Sequence, residues 1–274
     1  MNLEEKINRI KDLRPIDDVF FEVLARNKGV CEEILQIIIG DPNLQVLETI
    51  TQSSEKNLYG RSVRLDALCV LGDNSKCNIE VQRSDNDDHL RRARFNASSI
   101  TTKDSEPGER FEDILDLYIV YITEFDFLKG GKALYHVDKV VRENGMVVDD
   151  GLHEIFVNTV IDDGSDISAL MSCFLRKEVN NPRFPKLSNE VTRLKTTQGG
   201  ASAVCEVMEK YAKEYAKEYA EEYAKEYAEE TAIRTKIEAY LELGASKEKT
   251  IKVLMEQYNL TEQTAIEKYN EYAQ

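Results

Sequence analysis

Residues 64–83 of this 274-residue chain read RLDALCVLGDNSKCNIEVQR. Two apolar runs flank a turn of Gly72, Asp73, Asn74 and Ser75, and each run carries polar chemistry: Arg64 and Asp66 in the first, Glu80 and Gln82 in the second. A hairpin folded about position 73 sets Asp66 opposite Glu80 and Arg64 opposite Gln82. Cross-strand partners hold their Cβ atoms ~5 Å apart. Alternation then leaves Leu65, Ala67, Cys69, Ile79 and Val81 for the other face, where they suit a core. A slip of one residue would undo the pairing.

Two facing carboxylates repel, at a cost in stability unless water or a cation intervenes. Oxygen donors on a rigid sheet suit Mg²⁺ or Mn²⁺, which accept one or two protein carboxylates and leave other positions to water and phosphate. Such an ion polarises a phosphoryl oxygen and lowers the pKa of a bound water. Gln82 can orient water but carries no positive charge. Against this stands a plainer reading: acidic residues two apart on a strand commonly mark a wet sheet face. The residues of the hairpin leave both readings open.

The elements around it must position any such site. DDVFFEVLARNKGVCEEILQIII has helical spacing over 15–40, with Gly29 expected to divide it and Gly40-Asp41-Pro42 to stop it. Asp17 and Asp18 stand where carboxylates cap a first helical turn. Strands are expected at 45–51, 62–71, 77–82 and 116–125, with further ones in KALYHVDKVV and HEIFVNTVI. HLRRARFNASSI returns to helix. The sum is an α/β chain: a mixed central sheet flanked by helices, with an all-helical C-terminal extension.

That extension begins near Ala201. EKYAKEYAKEYAEEYAKEYAEE places Tyr at 211, 215, 219, 223 and 227 among strong helix formers. A period of four drifts about 40° per repeat, so five tyrosines wind across roughly half the helix circumference. This is no heptad seam. It reads as a solvated arm supported by pairs such as Glu209 with Lys213 and Glu221 with Lys225, with self-association through Tyr as the sharper alternative. The last segment reads as a helical hairpin, with Leu243-Gly244 ending one helix and Ser246 and Thr261 capping the next two. It lacks a basic recognition helix, so protein contact fits it better than DNA reading. The expected domains are 1–200, 201–242 and 243–274.

Composition narrows the classes. A net charge of −15 argues against coating nucleic acid by bulk attraction; a DNA contact would need a concentrated patch or a divalent cation. No apolar run approaches the ~20 residues that cross a bilayer. The five cysteines form no C-x-x-C pair, which fits a reducing cytoplasm and neither zinc nor a disulfide framework. His89, His136 and His153 show no ligand spacing. KGGKALYH reads as a turn, and neither a P-loop nor a G-x-S-x-G motif is present.

The order of elements adds a further signal. DDVFFEVLARN, VRLDALCVLGDNSKCNIEVQRSD, LRRARFNAS and LYIVYITEF together resemble the PD-(D/E)XK nuclease superfamily, and within it the nuclease family transposases, over roughly 14–180. The resemblance implies a restriction-endonuclease-like core and a Mg²⁺-dependent DNA endonuclease tied to transposition or recombination. It implies that Asp66 and Glu80 bind the metal, joined by the Val81 carbonyl. Gln82 takes the place of the superfamily Lys, as is common in this branch, with Arg64 a candidate to compensate. Asp18 is the expected acid of the first helix, with Asp17 and Glu22 as rivals. Arg64, Arg92 and Arg94 are expected to contact phosphate. Two positions depart from the family habit: Glu22 where a basic residue often follows the Phe, and Asn96 where an aromatic often follows RARF. The alternatives are a nuclease acting on RNA, and a protein that keeps the fold and works by association, for instance as a homodimer through its C-terminal helices.

Overall fold

The computed structural model describes residues 2–55, 63–85, 88–105 and 107–273, with the side chains of 52–55, 63, 64, 218 and 222 left aside. It begins with α1 (Leu3–Ile10), α2 (Asp18–Leu24) and α3 (Lys28–Ile39). The break between α2 and α3 falls at Ala25-Arg26-Asn27 and not at Gly29, which lies inside α3. The reason is local: the Asn27 side chain accepts the Gly29 N–H and caps α3, so the new helix starts one residue later. Gly40 ends α3 with a left-handed φ of 81°, as its position after the apolar run predicts.

The strands β1 (Val46–Glu55), β2 (Val63–Leu71) and β3 (Lys76–Gln82) follow. Next come α4 (His89–Asp104), β4 (Leu117–Thr123), β5 (Leu134–Val137), β6 (Lys139–Val141), β7 (Met146–Val148) and β8 (Leu152–Asn158). One sheet takes the order β1-β2-β3-β4-β8-β5, with β3, β4 and β8 mutually parallel and the other pairs antiparallel. β6 and β7 form a separate small ribbon. The β2–β3 turn is held by Asp73, whose Oδ1 accepts both the N–H (2.9 Å) and the hydroxyl (2.6 Å) of Ser75, while Asn74 adopts a left-handed φ of 68°.

The hairpin register is the expected one: Ala67 pairs with Ile79, Leu68 with Asn78 and Cys69 with Cys77. Leu65, Ala67, Cys69, Ile79 and Val81 are all buried. The opposite face is not wet, however: Leu68, Asn78 and Glu80 are buried as well. α4 packs against β2 and β4 on this face, contributing Ala93, Ala97 and Ile100 to a core shared with Leu68, Ile119, Tyr121 and Phe156. Parallel sheets covered on both faces behave this way, and the parallel β3–β4–β8 core puts Glu80 in such a position.

The chain continues through α5 (Asp166–Phe174), α6 (Pro185–Thr196), α7 (Gln198–Glu242), α8 (Lys247–Tyr258) and α9 (Glu262–Tyr272). It divides into two compact units, Met1–Glu209 and Lys210–Gln274. The first turns of α7 belong to the first unit, because Ala201, Val204, Cys205 and Val207 are buried there. The second unit has its own small core of Ile233, Ile237, Leu254 and Ala265. Ser246 and Thr261 cap α8 and α9 through Lys249 and Thr264 N–H groups. Tyr215, Tyr219, Tyr223 and Tyr227 are 61–72% exposed. The helix pairs run Lys210–Glu214 (3.9 Å) and Lys217–Glu221 (3.6 Å); Glu209 turns instead to Arg9 (3.3 Å).

Candidate metal centre

Asp66 lies where β2 and β3 part. Their pairing ends at Ala67 with Ile79, and beyond it the Asp66 Oδ2 accepts the Val81 N–H at 2.9 Å. A side chain thus fills the place of the next ladder bond and holds the strands apart. In an extended strand the N–H and C=O of one residue leave the same edge, so the Val81 carbonyl also faces the β2 side. Gln82 points its backbone the other way, its carbonyl accepting the Glu124 N–H at 3.1 Å.

Glu80 is fully buried, beside Tyr121 in the parallel register of β3 and β4. Its Oε1 accepts Arg92 Nη2 at 2.8 Å, while its Oε2 is buried with no hydrogen-bond partner among the described residues. Arg92 Nη1 reaches Gln82 Oε1 at 3.4 Å, and Gln82 Nε2 donates to the Ser84 carbonyl at 3.0 Å. Burial, then repulsion from Glu80, pushes the half-buried Asp66 carboxyl well above the usual aspartate range, against the pull of the Val81 N–H. Burial also raises Glu80, with the Arg92 guanidinium opposing it.

Of the three acids in the first-helix region, Asp18 is among the larger influences that raise Asp66. Asp18 keeps an exposed surface, yet partial withdrawal from water still raises its carboxyl. Asp17 is buried and committed elsewhere: it accepts the Arg14 N–H at 2.6 Å and pairs with Arg14 (3.3 Å) and Arg83 (2.8 Å), which both also reach Glu124. Glu22 is buried and paired with Arg26 at 3.0 Å. Asp17 begins α2 without a side-chain capping bond, contrary to its expected role, because these arginines hold its carboxylate.

The arginines separate. Arg92 joins the carboxylates; Arg94 and Arg91 line a groove of 790 Å³ beside α4, with Phe111, Leu117 and Leu152, and none of Asp66, Glu80 or Gln82 lines it. The Arg64 side chain lies outside the described residues. One cluster was missed in the sequence. His89 is buried among the rings of Tyr121, Phe125 and Phe127, with Nδ1 3.2 Å from the Tyr121 hydroxyl and Nε2 3.1 Å from Asp85 Oδ1. The i, i+4 spacing of Asp85 and His89 was a usable signal; the approach of Tyr121 from β4 was not. His136 is exposed and His153 stacks on Tyr118 at 4.5 Å.

Among the described residues, no group of three or more His, Cys, Asp or Glu side chains converges to hold a metal ion. Asp66 and Glu80 provide two carboxylates, with a backbone carbonyl beside them. Their like charge and the orphaned Glu80 Oε2 fit a hard divalent cation, which prefers oxygen donors and completes its shell with water.

A mixed six-stranded sheet with parallel and antiparallel strands, flanked by helices, is a restriction-endonuclease-like core. The sequence model of the PD-(D/E)XK nuclease family transposases matches residues 20–160, and the chain belongs to that family. Its function is accordingly nuclease- or transposase-related, in a superfamily of phosphodiester hydrolases that typically use divalent metals. Searches of curated proteins and of solved structures return no match. No helix among the described residues is long and apolar enough to cross a membrane.

Proposed function

We propose that the chain is a Mg²⁺- or Mn²⁺-dependent DNA endonuclease that hydrolyses phosphodiester bonds in transposition or recombination. The observation that carries this reading is the acidic pair of half-buried Asp66 and fully buried Glu80, in which Glu80 Oε2 has no hydrogen-bond partner among the described residues and both carboxyls are raised. Natural folds rarely leave a buried carboxylate oxygen unsatisfied, and functional sites are where they do so. Asp66, Glu80 and the Val81 carbonyl would hold the cation. When bound, it supplies polarisation of a phosphoryl oxygen and a more acidic water.

The chain's own residues do the rest. Gln82, held by Arg92 and the Ser84 carbonyl, presents its amide to orient water. Asp18 adds negative charge from α2. Arg94 and Arg64 are assigned to phosphate contact, with Arg92 at the site itself. With residues 1–200 as the nuclease-like domain, 201–242 is the helical arm and 243–274 the small helical hairpin. The exposed tyrosines favour a homodimer through these C-terminal helices. Five free, buried cysteines fit the cytoplasm as its compartment.

The test is plasmid DNA incubated with Mg²⁺ and either the protein or its Asp66→Ala variant. Cleavage by the protein and none by the variant supports the reading. Absent cleavage, equal cleavage by both, or cleavage of RNA alone overturns it.

A further inference from the structure

Gln82 leaves the acidic pair without the ammonium that a Lys there would supply, and among the described residues a cation reaches the pair from another element. Arg92 stands in the first turns of α4, a helix whose N-cap Asp88 accepts the Arg91 N–H and whose Ala93, Ala97 and Ile100 are packed on the sheet. Its guanidinium extends from this anchored backbone to Glu80 Oε1 at 2.8 Å and Gln82 Oε1 at 3.4 Å. One planar fork therefore contacts both positions of the Glu80-Val81-Gln82 segment. The amide oxygen of Gln82 accepts from that fork, whereas a Lys at 82 would set an ammonium against it.

Glu80 is fully buried, and a buried carboxylate beside a second one is costly unless a cation pairs with it. Arg92 supplies that pairing, yet it takes only Oε1 and keeps 36% of its own side chain exposed. The other oxygen stays buried, with no hydrogen-bond partner among the described residues. We propose that Arg92 is a positioning residue: the resident counter-cation of the acidic pair, doing from α4 the charge work of the absent Lys. It aims Glu80 through the 2.8 Å contact to Oε1, and an arriving divalent ion competes with it for that carboxylate. This rests on the metal reading above, and it differs from simple phosphate contact because it makes Arg92 an antagonist of metal binding.

The experiment is Mn²⁺ titration by calorimetry on the full chain, without DNA, for the wild type, Arg92→Gln, Arg92→Lys and the control Asp66→Ala. Removing a cation within hydrogen-bond reach of a ligand oxygen should tighten Mn²⁺ binding ~10-fold or more in Arg92→Gln at pH 8. Arg92→Lys should stay near the wild type, and the double variant Gln82→Lys/Arg92→Gln should return toward it. Equal affinities in the wild type and Arg92→Gln overturn the competition. Failure of the wild type to bind Mn²⁺ overturns the metal reading and the competition with it. The pairing has its own arm in thermal melts with chelator: Arg92→Gln should lower the melting temperature of the wild type but not of Glu80→Gln. Equal losses in both backgrounds overturn the counter-cation role.

Discussion

Replacing Asp66 by Asn should stabilise the metal-free protein while removing the proposed plasmid cleavage. Asp66 and Glu80 lie beyond the last paired residues of β2 and β3, yet Asp66 still feels the Glu80 charge; like charges ~6–15 Å apart repel by on the order of 1–3 kcal/mol at an effective dielectric constant of ~20. Arg92 already cancels part of this from the Glu80 side, and the Asn amide oxygen can still accept the Val81 N–H. With solvent screening of the half-buried Asp66, a net gain of up to about 1 kcal/mol at pH 8 remains, or ~2–4 °C in melting temperature for a unit of this size. The pH dependence has a definite sign. Both carboxyls are raised in the fold, so across the window above the ordinary carboxylate range the native state keeps protons that the unfolded chain has released. Stability of the wild type therefore falls as pH rises through that window, and the advantage of Asp66→Asn shrinks as pH falls and disappears near pH ~3, where both states hold the protons. The assay is a thermal melt with chelator at several pH values. A variant that melts below the wild type at pH 8, or differs from it equally at every pH, would refute the reasoning.

Other perturbations reach different parts of the molecule. His89→Ala empties a site ringed by Tyr121, Phe125 and Phe127 and should cost about 2–4 kcal/mol, read from the urea midpoint; a shift under ~1 kcal/mol would show the ring contributes little. Gly200→Ala places a Cβ 2.5 Å from the Arg193 carbonyl and 2.6 Å from Leu194 Cα, both backbone atoms that cannot swing aside. It should lower stability by about 2 kcal/mol or more, and an unchanged melting curve would contradict the close approach of α6 and α7. Changing Tyr215, Tyr219, Tyr223 and Tyr227 together to Ser should leave the helix content intact by circular dichroism and shift a dimer to monomer in sedimentation. Unchanged sedimentation would remove the tyrosine face as the interface.

The hairpin that carries the candidate site was legible along the chain. The turn at Gly72–Ser75 and the alternation on either side place Asp66 toward Glu80, and the structure keeps that register up to Ala67 with Ile79. Helix ends at Gly40, Ser246 and Thr261 were legible for the same reason: their signals are carried by one side chain and its near neighbours. Gly29 misled because the decisive bond is that of Asn27, a cap that outweighs a glycine in the first turn. Asp17 misled because the arginines that capture it come from 14 and, far along the chain, 83.

The sequence by itself determined the hairpin, its acidic residues, the helices on either side and the family to which they belong, because these depend on local propensity and short-range spacing. Only the tertiary structure decided that the charged face is buried, since α4 and the parallel partners of β3 are brought there by packing over long separations. The same packing brought Arg92 to Glu80: hairpin arithmetic set Arg64 opposite Gln82 and gave no sign of Arg92, which comes from α4 because the helix crossing that buries Ala93 and Ala97 also aims its guanidinium at the carboxylate.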